Sequence, residues 1–362
     1  MDTITHSLTG ALVATVIGSK RITNNSVPAS TRIVCGAIAG AFPDIDYFTA
    51  LINYLSFIAN WHRGITHSLF MLPLWALLLG ITMALFLKRF KQWKYFVTLC
   101  AVVLGSHIFL DVITSWDTQI LSPISDYRIS LQYAFIIDPL LTTIVFVALS
   151  LTMYFRSRWF AIAGICTLAL YITSLAILHH QALTLAKSQI HTQGWHHAKP
   201  EALPQPFSPF NWKLIISDDN GHWLSFVNLV KRETCDPPLN KKVTIWEVRK
   251  FYCPKHQLTW NYYARFGDDP HSKEVWNEPG FSLYRKFARI PAFHKVDQPN
   301  TEICVWFMDL RFLIPGLNTP FRYGMCKYDK NSIWKLYRIK ENRDSGLEFI
   351  MISYLSHEKT LH

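Results

Sequence analysis

Asn60-Trp61-His62-Arg63-Gly64-Ile65-Thr66-His67-Ser68-Leu69 runs straight into an uncharged apolar stretch that ends at Leu87. An α-helix needs about 20 such residues to cross the hydrocarbon core of a bilayer. Ser68–Leu87 meets that length, so two histidines and an arginine stand at a membrane boundary. Imidazole is the commonest neutral metal ligand near physiological pH. The spacing from His62 to His67 does not repeat on one helix face, so that pair alone is a weak signal. Its company strengthens it. The pentapeptide Ile65–Leu69 occurs earlier as Ile4-Thr5-His6-Ser7-Leu8, with Phe42-Pro43-Asp44-Ile45-Asp46 between the copies. Gly105-Ser106-His107-Ile108-Phe109-Leu110-Asp111 follows, and a helix puts His107 and Asp111 on one face at a spacing suited to a ligand pair.

Working outward, Trp159–Leu178 is a second run of spanning length. Tyr95–Val112 qualifies with His107 and Asp111 near one end, and Pro139–Phe155 qualifies with proline in its first turn. Two shorter runs, Leu8–Ser19 and Ile33–Phe42, are read as a tight helical pair helped by Gly10, Gly18, Gly36 and Gly40. Gly36-x3-Gly40 is a close-packing pattern between membrane helices. The alternative is that these two lie in the interface or re-enter from one side. Lys20, Arg21 and Arg32 mark the first connection, Lys88, Arg89, Lys91 and Lys94 the third, and Arg156 and Arg158 the fifth. The positive-inside rule makes all three cytoplasmic. Asp2, Asp44, Asp46, Asp111, Asp117, Asp126 and Asp138 mark the opposite ends. The expected fold is therefore an α-helical polytopic membrane bundle of about six helices with both termini outside, followed by a mainly antiparallel β domain. No cleavable signal peptide is expected, because no basic leader precedes the first apolar run.

This topology gathers His6, Asp44, Asp46, His62, His67, His107, Asp111 and Asp138 at one membrane face. Ionisable groups there are costly and usually functional, although Asp44 and Asp138 also suit helix capping. Trp159 and Tyr171 read as interface or packing residues, and His179 and His180 as a hydrated helix end.

Half of the 362 residues are hydrophobic, but the average hides two halves. The expected division is a membrane domain over 1–186, a linker over 187–208 and a basic, aromatic-rich β domain over 209–362. The formal charge is +11, and from residue 187 onward 25 Lys/Arg face 18 Asp/Glu. On the outer membrane face this suits anionic headgroups or a phosphorylated substrate and argues against nucleic acid. Asn211–Ser217, Asp218-Asp219-Asn220-Gly221 and His222–Val227 read as a β-hairpin. Lys242–Val248, Ile303–Leu310 and Gly346–Tyr354 read as strands, with a short helix near Gly280–Arg289 and a strand end at Asp309-Leu310-Arg311-Phe312. Cys35, Cys100 and Cys166 lie in apolar segments and read as buried small hydrophobes. Cys235, Cys253, Cys304 and Cys326 permit two disulfides in an oxidising compartment. No Walker motif, dinucleotide fingerprint or Gly-x-Ser-x-Gly elbow occurs.

The segments Thr3–Gly10, Phe42–Asp46, His62–Ser68, His107-x3-Asp111, Ser125-Asp126-Tyr127-Arg128 and Ile137-Asp138-Pro139 resemble the YdjM-like family of LexA-regulated, membrane-bound, metal-dependent inner-membrane hydrolases. The resemblance covers the first half, and more loosely Pro206-Phe207-Ser208-Pro209-Phe210 onward. The order His, Asp, His, His-x3-Asp is also similar, more weakly, to zinc-dependent phospholipase C and P1 nuclease. The later His/Glu pair of that superfamily has no evident counterpart here. The family resemblance implies a bacterial inner-membrane hydrolase, and the charge pattern puts its C-terminal domain on the periplasmic face.

A His/Asp set suits zinc, or manganese where carboxylates dominate. His6, Asp46, His67, His107 and Asp111 are the expected ligands. Asp44 and His62 are expected as further ligands, supporting partners or proton carriers. Arg63 and Arg128 lie outside the basic connections and suit bidentate contact with a phosphate or carboxylate; an ion pair with Asp126 is the alternative for Arg128. The expected partners are the lipid bilayer and a lipid-linked or phosphorylated substrate. A structural metal or an ion transporter is the rival function.

Overall fold

A computed structural model describes residues 1–17, 27–195, 197–235, 243–298, 302–328, 332–342 and 346–351. Gly18, Ser19, Lys20, Arg21, Lys242 and positions 352–354 of the last expected strand lie outside the described residues. The chain divides into two compact units. The first comprises Met1–Leu185, Ala202–Lys213 and Asn228–Val230; the second comprises Ala186–Glu201, Leu214–Val227 and Lys231–His362.

Among the described residues of the N-terminal half, the helices of 13 residues or more are α1 (Thr3–Val16), α2 (Ala29–Ala41), α3 (Leu72–Phe86), α4 (Trp93–Val112), α5 (Pro139–Phe155) and α6 (Arg158–Gln193). Asp2 caps α1 by accepting the Thr5 N–H at 3.0 Å, which satisfies a donor that has no partner within the helix. Glycines set the approach of α1 and α2. A Cβ on Gly10 would run into the Gly36 carbonyl oxygen, one on Gly36 into that of Gly10, and one on Gly40 into that of His6. Ala14, Cys35 and Ala39 join Ala76, Met83, Ala84, Phe96, Leu99, Cys100 and Val103 in one apolar cluster beside this crossing. Cys166, expected to be buried, is exposed on α6.

Among the described residues, three helical stretches are long and apolar enough to cross a membrane: Ala29–Leu51, Phe90–Val112 and Arg158–Gln193. A fourth counts if Tyr54–His67 and Leu72–Phe86, bent by 69° at their break, form one span. Thr3–Val16 and Pro139–Phe155 are shorter apolar helices. Helix α6 alone is about 54 Å long at 1.5 Å per residue, and β1 begins at Lys199. Within 187–208, α6 continues to Gln193 and β1 occupies Lys199–Pro204.

The apolar run Ser68–Leu87 becomes helical only at Leu72. Ser68 explains the delay. Its hydroxyl donates to the Ser122 carbonyl at 2.5 Å and accepts from the N–H groups of Phe70 and Met71. Before it, the chain passes from α2 into a 3₁₀ helix (Phe42–Leu51), a helical turn (Tyr54–Ser56), a π-helical turn (Phe57–Trp61) and a 3₁₀ turn (Ile65–His67).

Among the described residues, the C-terminal half carries two sheets. The first has the order β1 (Lys199–Pro204), β2 (Asn211–Ser217), β3 (Gly221–Asn228), β4 (Asn261–Ala264). The β2–β3 turn forms because the Asp218 carboxylate accepts the N–H groups of Asn220 and Gly221, both at 2.8 Å. The second is an antiparallel meander of β5 (Pro291–Asp297), β6 (Ile303–Asp309), β7 (Tyr323–Lys327), β8 (Lys335–Asn342) and β9 (Gly346–Met351). Two short helices, α7 (Pro270–Asn277) and α8 (Ser282–Phe287), precede it. Cys304 faces Cys326 across β6–β7, and the two are bonded, as are Cys235 and Cys253. At the end of β6, buried Asp309 accepts from the Arg289 and Arg311 backbone N–H groups and pairs with the Arg311 guanidinium at 2.8 Å. Burial pushes that carboxyl up, but Arg311 and these bonds hold it below its usual range.

The expected strand over Lys242–Val248 is absent among its described residues. Thr244 donates its N–H and hydroxyl to the Glu247 carboxylate at 3.1 and 2.9 Å. This Thr-x-x-Glu box turns the chain into a 3₁₀ helix over Val248–Phe251.

Candidate metal centre

Three side-chain atoms from two segments converge in the helical unit. His67 Nε2 and His107 Nε2 are 3.1 Å apart. Asp111 Oδ2 lies 3.1 Å from the first and 3.4 Å from the second. Tetrahedral ligands at about 2.0–2.1 Å from zinc are separated by roughly 3.3 Å, so the trio has the size of one tetrahedral face. Asp44 Oδ1 is 3.6 Å from His67 Nε2 and 3.8 Å from His107 Nε2. Two metal-capable triads share His107: Asp44/His67/His107 and His6/His107/Asp111.

The supporting bonds fix which nitrogens face inward. His107 Nδ1 donates to the Gly40 carbonyl at 2.7 Å, leaving Nε2 with the lone pair. His67 Nδ1 is 2.9 Å from the Thr66 hydroxyl, so its Nε2 also points at the centre. His6 stacks on His107 with ring centroids 3.6 Å apart, and its Nε2 lies 3.1 Å from Asp111 Oδ1. The Met1 ammonium and the Arg63 guanidinium also contact Asp111 Oδ1. Asp44, Asp46 and Asp111 are all buried, and Asp44 Oδ2, Asp46 Oδ1, Asp111 Oδ2 and His6 Nδ1 have no hydrogen-bond partner. Buried carboxylates without full pairing are expensive unless a cation compensates them. Donor types, separations and orphaned atoms thus fit a divalent ion held by His67, His107 and Asp111 with Asp44 or His6.

The family model of the YdjM inner membrane protein matches residues 1–182. The chain belongs to the YdjM inner membrane protein family. The uncharacterized protein YfhP of Bacillus subtilis (strain 168) is 29% identical over 178 residues, 48% of this chain and 51% of that protein. The chain therefore spans about half the length of this curated relative. No solved structure matches this chain.

Within this YdjM region the two aspartates of Phe42–Asp46 take different places around His67. Asp44 approaches the inward Nε2 atoms. Asp46 lies behind His67, with Oδ2 accepting the Arg63 N–H at 2.8 Å and standing 3.4 Å from His62 Nδ1 and 3.7 Å from His67 Nδ1. The reason is local geometry. Positions two apart on a 3₁₀ helix of three residues per turn point about 120° apart around the axis, so both cannot face the same centre. His62 is buried among Tyr47, Phe57 and Trp116, with ring centroids 5.0, 4.9 and 5.0 Å away.

Arg63 is not free to hold a substrate anion, contrary to the sequence expectation. It is 2% exposed. Its Nη2 is 2.8 Å from Asp111 Oδ1, and its Nη1 donates to Thr114 Oγ1 and the Trp116 carbonyl, each at 2.7 Å. Arg128 is half-buried and donates to the Ala59 carbonyl at 2.9 Å, just ahead of His62. Asp138 serves as the cap of α5, accepting from Leu140 and Leu141, and takes a 2.8 Å bond from the Tyr171 hydroxyl. Tyr171 is thus an anchor for that cap. Asp138→Ala is expected to cost about 1 kcal/mol, the usual value of a helix cap, and to leave metal content unchanged; thermal unfolding with metal analysis checks both. Gly40 and Thr66, which support His107 and His67, lie outside the expected site residues. The Thr-His pair in the repeated pentapeptide is the only signal that pointed to Thr66.

Proposed function

We propose that the protein is a membrane-bound, metal-dependent hydrolase whose centre lies at the outer membrane edge. The observation that carries the reading is the near-equilateral set of His67 Nε2, His107 Nε2 and Asp111 Oδ2 at 3.1, 3.1 and 3.4 Å. A divalent ion there, zinc or manganese, would polarise a substrate oxygen and bring the pKa of a water near neutrality. His67, His107 and Asp111 would hold it, with Asp44 or His6 completing the protein donors. Asp46 Oδ2 stands 3.7 Å from His67 Nδ1 and 3.4 Å from His62 Nδ1, so His62 would support the centre through Asp46 and His67. The aromatic walls around His62 exclude bulk water.

The substrate we favour is an amphiphile such as a lipid-linked phosphoester. The segment that carries Asp44 and Asp46 leaves Phe48, Leu51 and Ile52 at 69%, 84% and 77% exposure, which suits contact with lipid. Six membrane crossings with both termini outside would put the disulfide-bearing C-terminal half in an oxidising periplasm. A reporter fused after Lys91 is then expected to read cytoplasm and one after Pro200 the outside; the reverse sinks the topology. The chemistry is tested with full-length detergent-purified protein on lipid phosphoesters. Expected is turnover abolished by a chelator and restored by zinc or manganese. Intact lipid phosphoesters beside cleavage of an amide or a water-soluble ester would overturn the substrate class. A second reading, a purely structural ion, draws on Asp44: four protein ligands and no exchangeable water would close the shell.

A further inference from the structure

We propose that Arg63 is a positioning residue that confines Asp111 to ligation through one oxygen and so makes the centre select a four-coordinate ion. The inference rests on the metal reading above and names what sets its ion preference. The two oxygens of Asp111 face different neighbours. Oδ1 meets Arg63 Nη2 at 2.8 Å and His6 Nε2 at 3.1 Å, and it also takes the Met1 ammonium. Oδ2 faces the two imidazole nitrogens at 3.1 and 3.4 Å and, among the described residues, has no hydrogen-bond partner.

The guanidinium cannot swing away to release Oδ1. Its Nη1 is held by Thr114 Oγ1 and two carbonyl oxygens, those of Asp111 at 3.3 Å and Trp116 at 2.7 Å. The backbone is held as well. Arg63 has φ +54°, a region that side chains other than glycine seldom adopt. Its N–H donates to Asp46 and its carbonyl accepts from the Gln119 N–H at 2.9 Å. One residue thus clamps Asp46 through its backbone and Asp111 through its side chain. Calcium and manganese favour higher coordination with more carboxylate or water oxygens, whereas zinc is content with four donors. Pinning Oδ1 removes the chelating mode that a larger shell would use.

The test compares wild type, Arg63→Gly and Arg63→Lys as full-length protein in detergent, loaded with cobalt(II) alone. Glycine tolerates the left-handed backbone, so Arg63→Gly removes the guanidinium without imposing new strain. The expected wild-type spectrum has the intense visible bands of four-coordinate cobalt. Arg63→Gly is expected to bind cobalt with bands weakened several-fold, and its preference for zinc over manganese is expected to narrow about tenfold, within the range seen for residues that orient ligands. Arg63→Lys should fall between. Wild-type band intensity and zinc preference in Arg63→Gly overturn the proposal. If that variant does not fold, Arg63→Lys decides: weakened bands support the clamp and an unchanged spectrum overturns it. Failure of wild type to take up any cobalt instead overturns the metal reading itself.

Discussion

His67→Ala and Asp111→Asn are each expected to strip the protein of its divalent ion, with affinity falling by more than about 100-fold, beyond the range for a residue that merely orients a ligand. His67 contributes the nitrogen nearest both other members of the trio, 3.1 Å from each. Removing it leaves His107 and Asp111 too few to define a face. Asp111→Asn keeps the volume and the Arg63 contact but replaces an anionic donor with a weak neutral one. The check is metal content of detergent-purified protein, with circular dichroism and gel filtration showing that the fold survives. One or two equivalents in wild type, lost in both variants, is the expected result. Asp46→Asn makes the contrast sharper. Asp46 meets His67 on the side away from the centre, so its loss is expected to weaken binding only about tenfold. Metal retained in both His67→Ala and Asp111→Asn would place the ion elsewhere.

Gly36→Val is expected to lower stability by about 3 kcal/mol, the upper end for overpacking a filled interior. The obstacle is backbone, not a side chain that can rotate. A Cβ at Gly36 meets the Gly10 carbonyl, and the Ala14 Cβ lies 2.5 Å from the same point. Relief requires α1 and α2 to separate. That motion carries two parts of the site with it: His6 rides on α1, and the Gly40 carbonyl that orients His107 rides on α2. The thermal midpoint and the metal content should therefore fall together. Gly105→Ala is the control. Its Cβ would meet only Leu72 Cδ1 at 3.8 Å, and alanine favours a helix over glycine by about 0.5–1 kcal/mol. An unchanged midpoint in Gly36→Val would show that the crossing is looser than described.

Much of the helical half could be read from the chain because each cue is local. Pro139–Phe155 is both the expected run and the observed helix, with Asp138 as its cap. The Asp218–Gly221 turn likewise carries its own side-chain bonds. Reading failed where a local bond competes with hydropathy. Ser68 delays α3, and the Thr244–Glu247 box replaces a strand by a 3₁₀ helix. The repeated pentapeptide is the plainest example. Ile4–Leu8 lies within a regular helix where the Thr5 hydroxyl bonds Asp2 and meets Thr142. Ile65–Leu69 forms a 3₁₀ turn and its sequel, where Thr66 supports His67.

By itself the sequence determined a membrane protein of the YdjM family, the register of most of its helices and the set of histidines and aspartates from which a metal centre would be drawn. The family follows from the motifs that resemble it, and run length and residue type suffice for the rest. Only the tertiary structure decided that Asp44 faces the inward nitrogens while Asp46 lies behind them, that Arg63 clamps Asp111, that Asp138 is a cap, and which of three pairings joins the four late cysteines. Those outcomes depend on where residues far apart in the chain are brought within about 4 Å, and that distance is set by the glycine-mediated contact of α1 with α2 and the register of β6 with β7, neither of which is a property of any single segment.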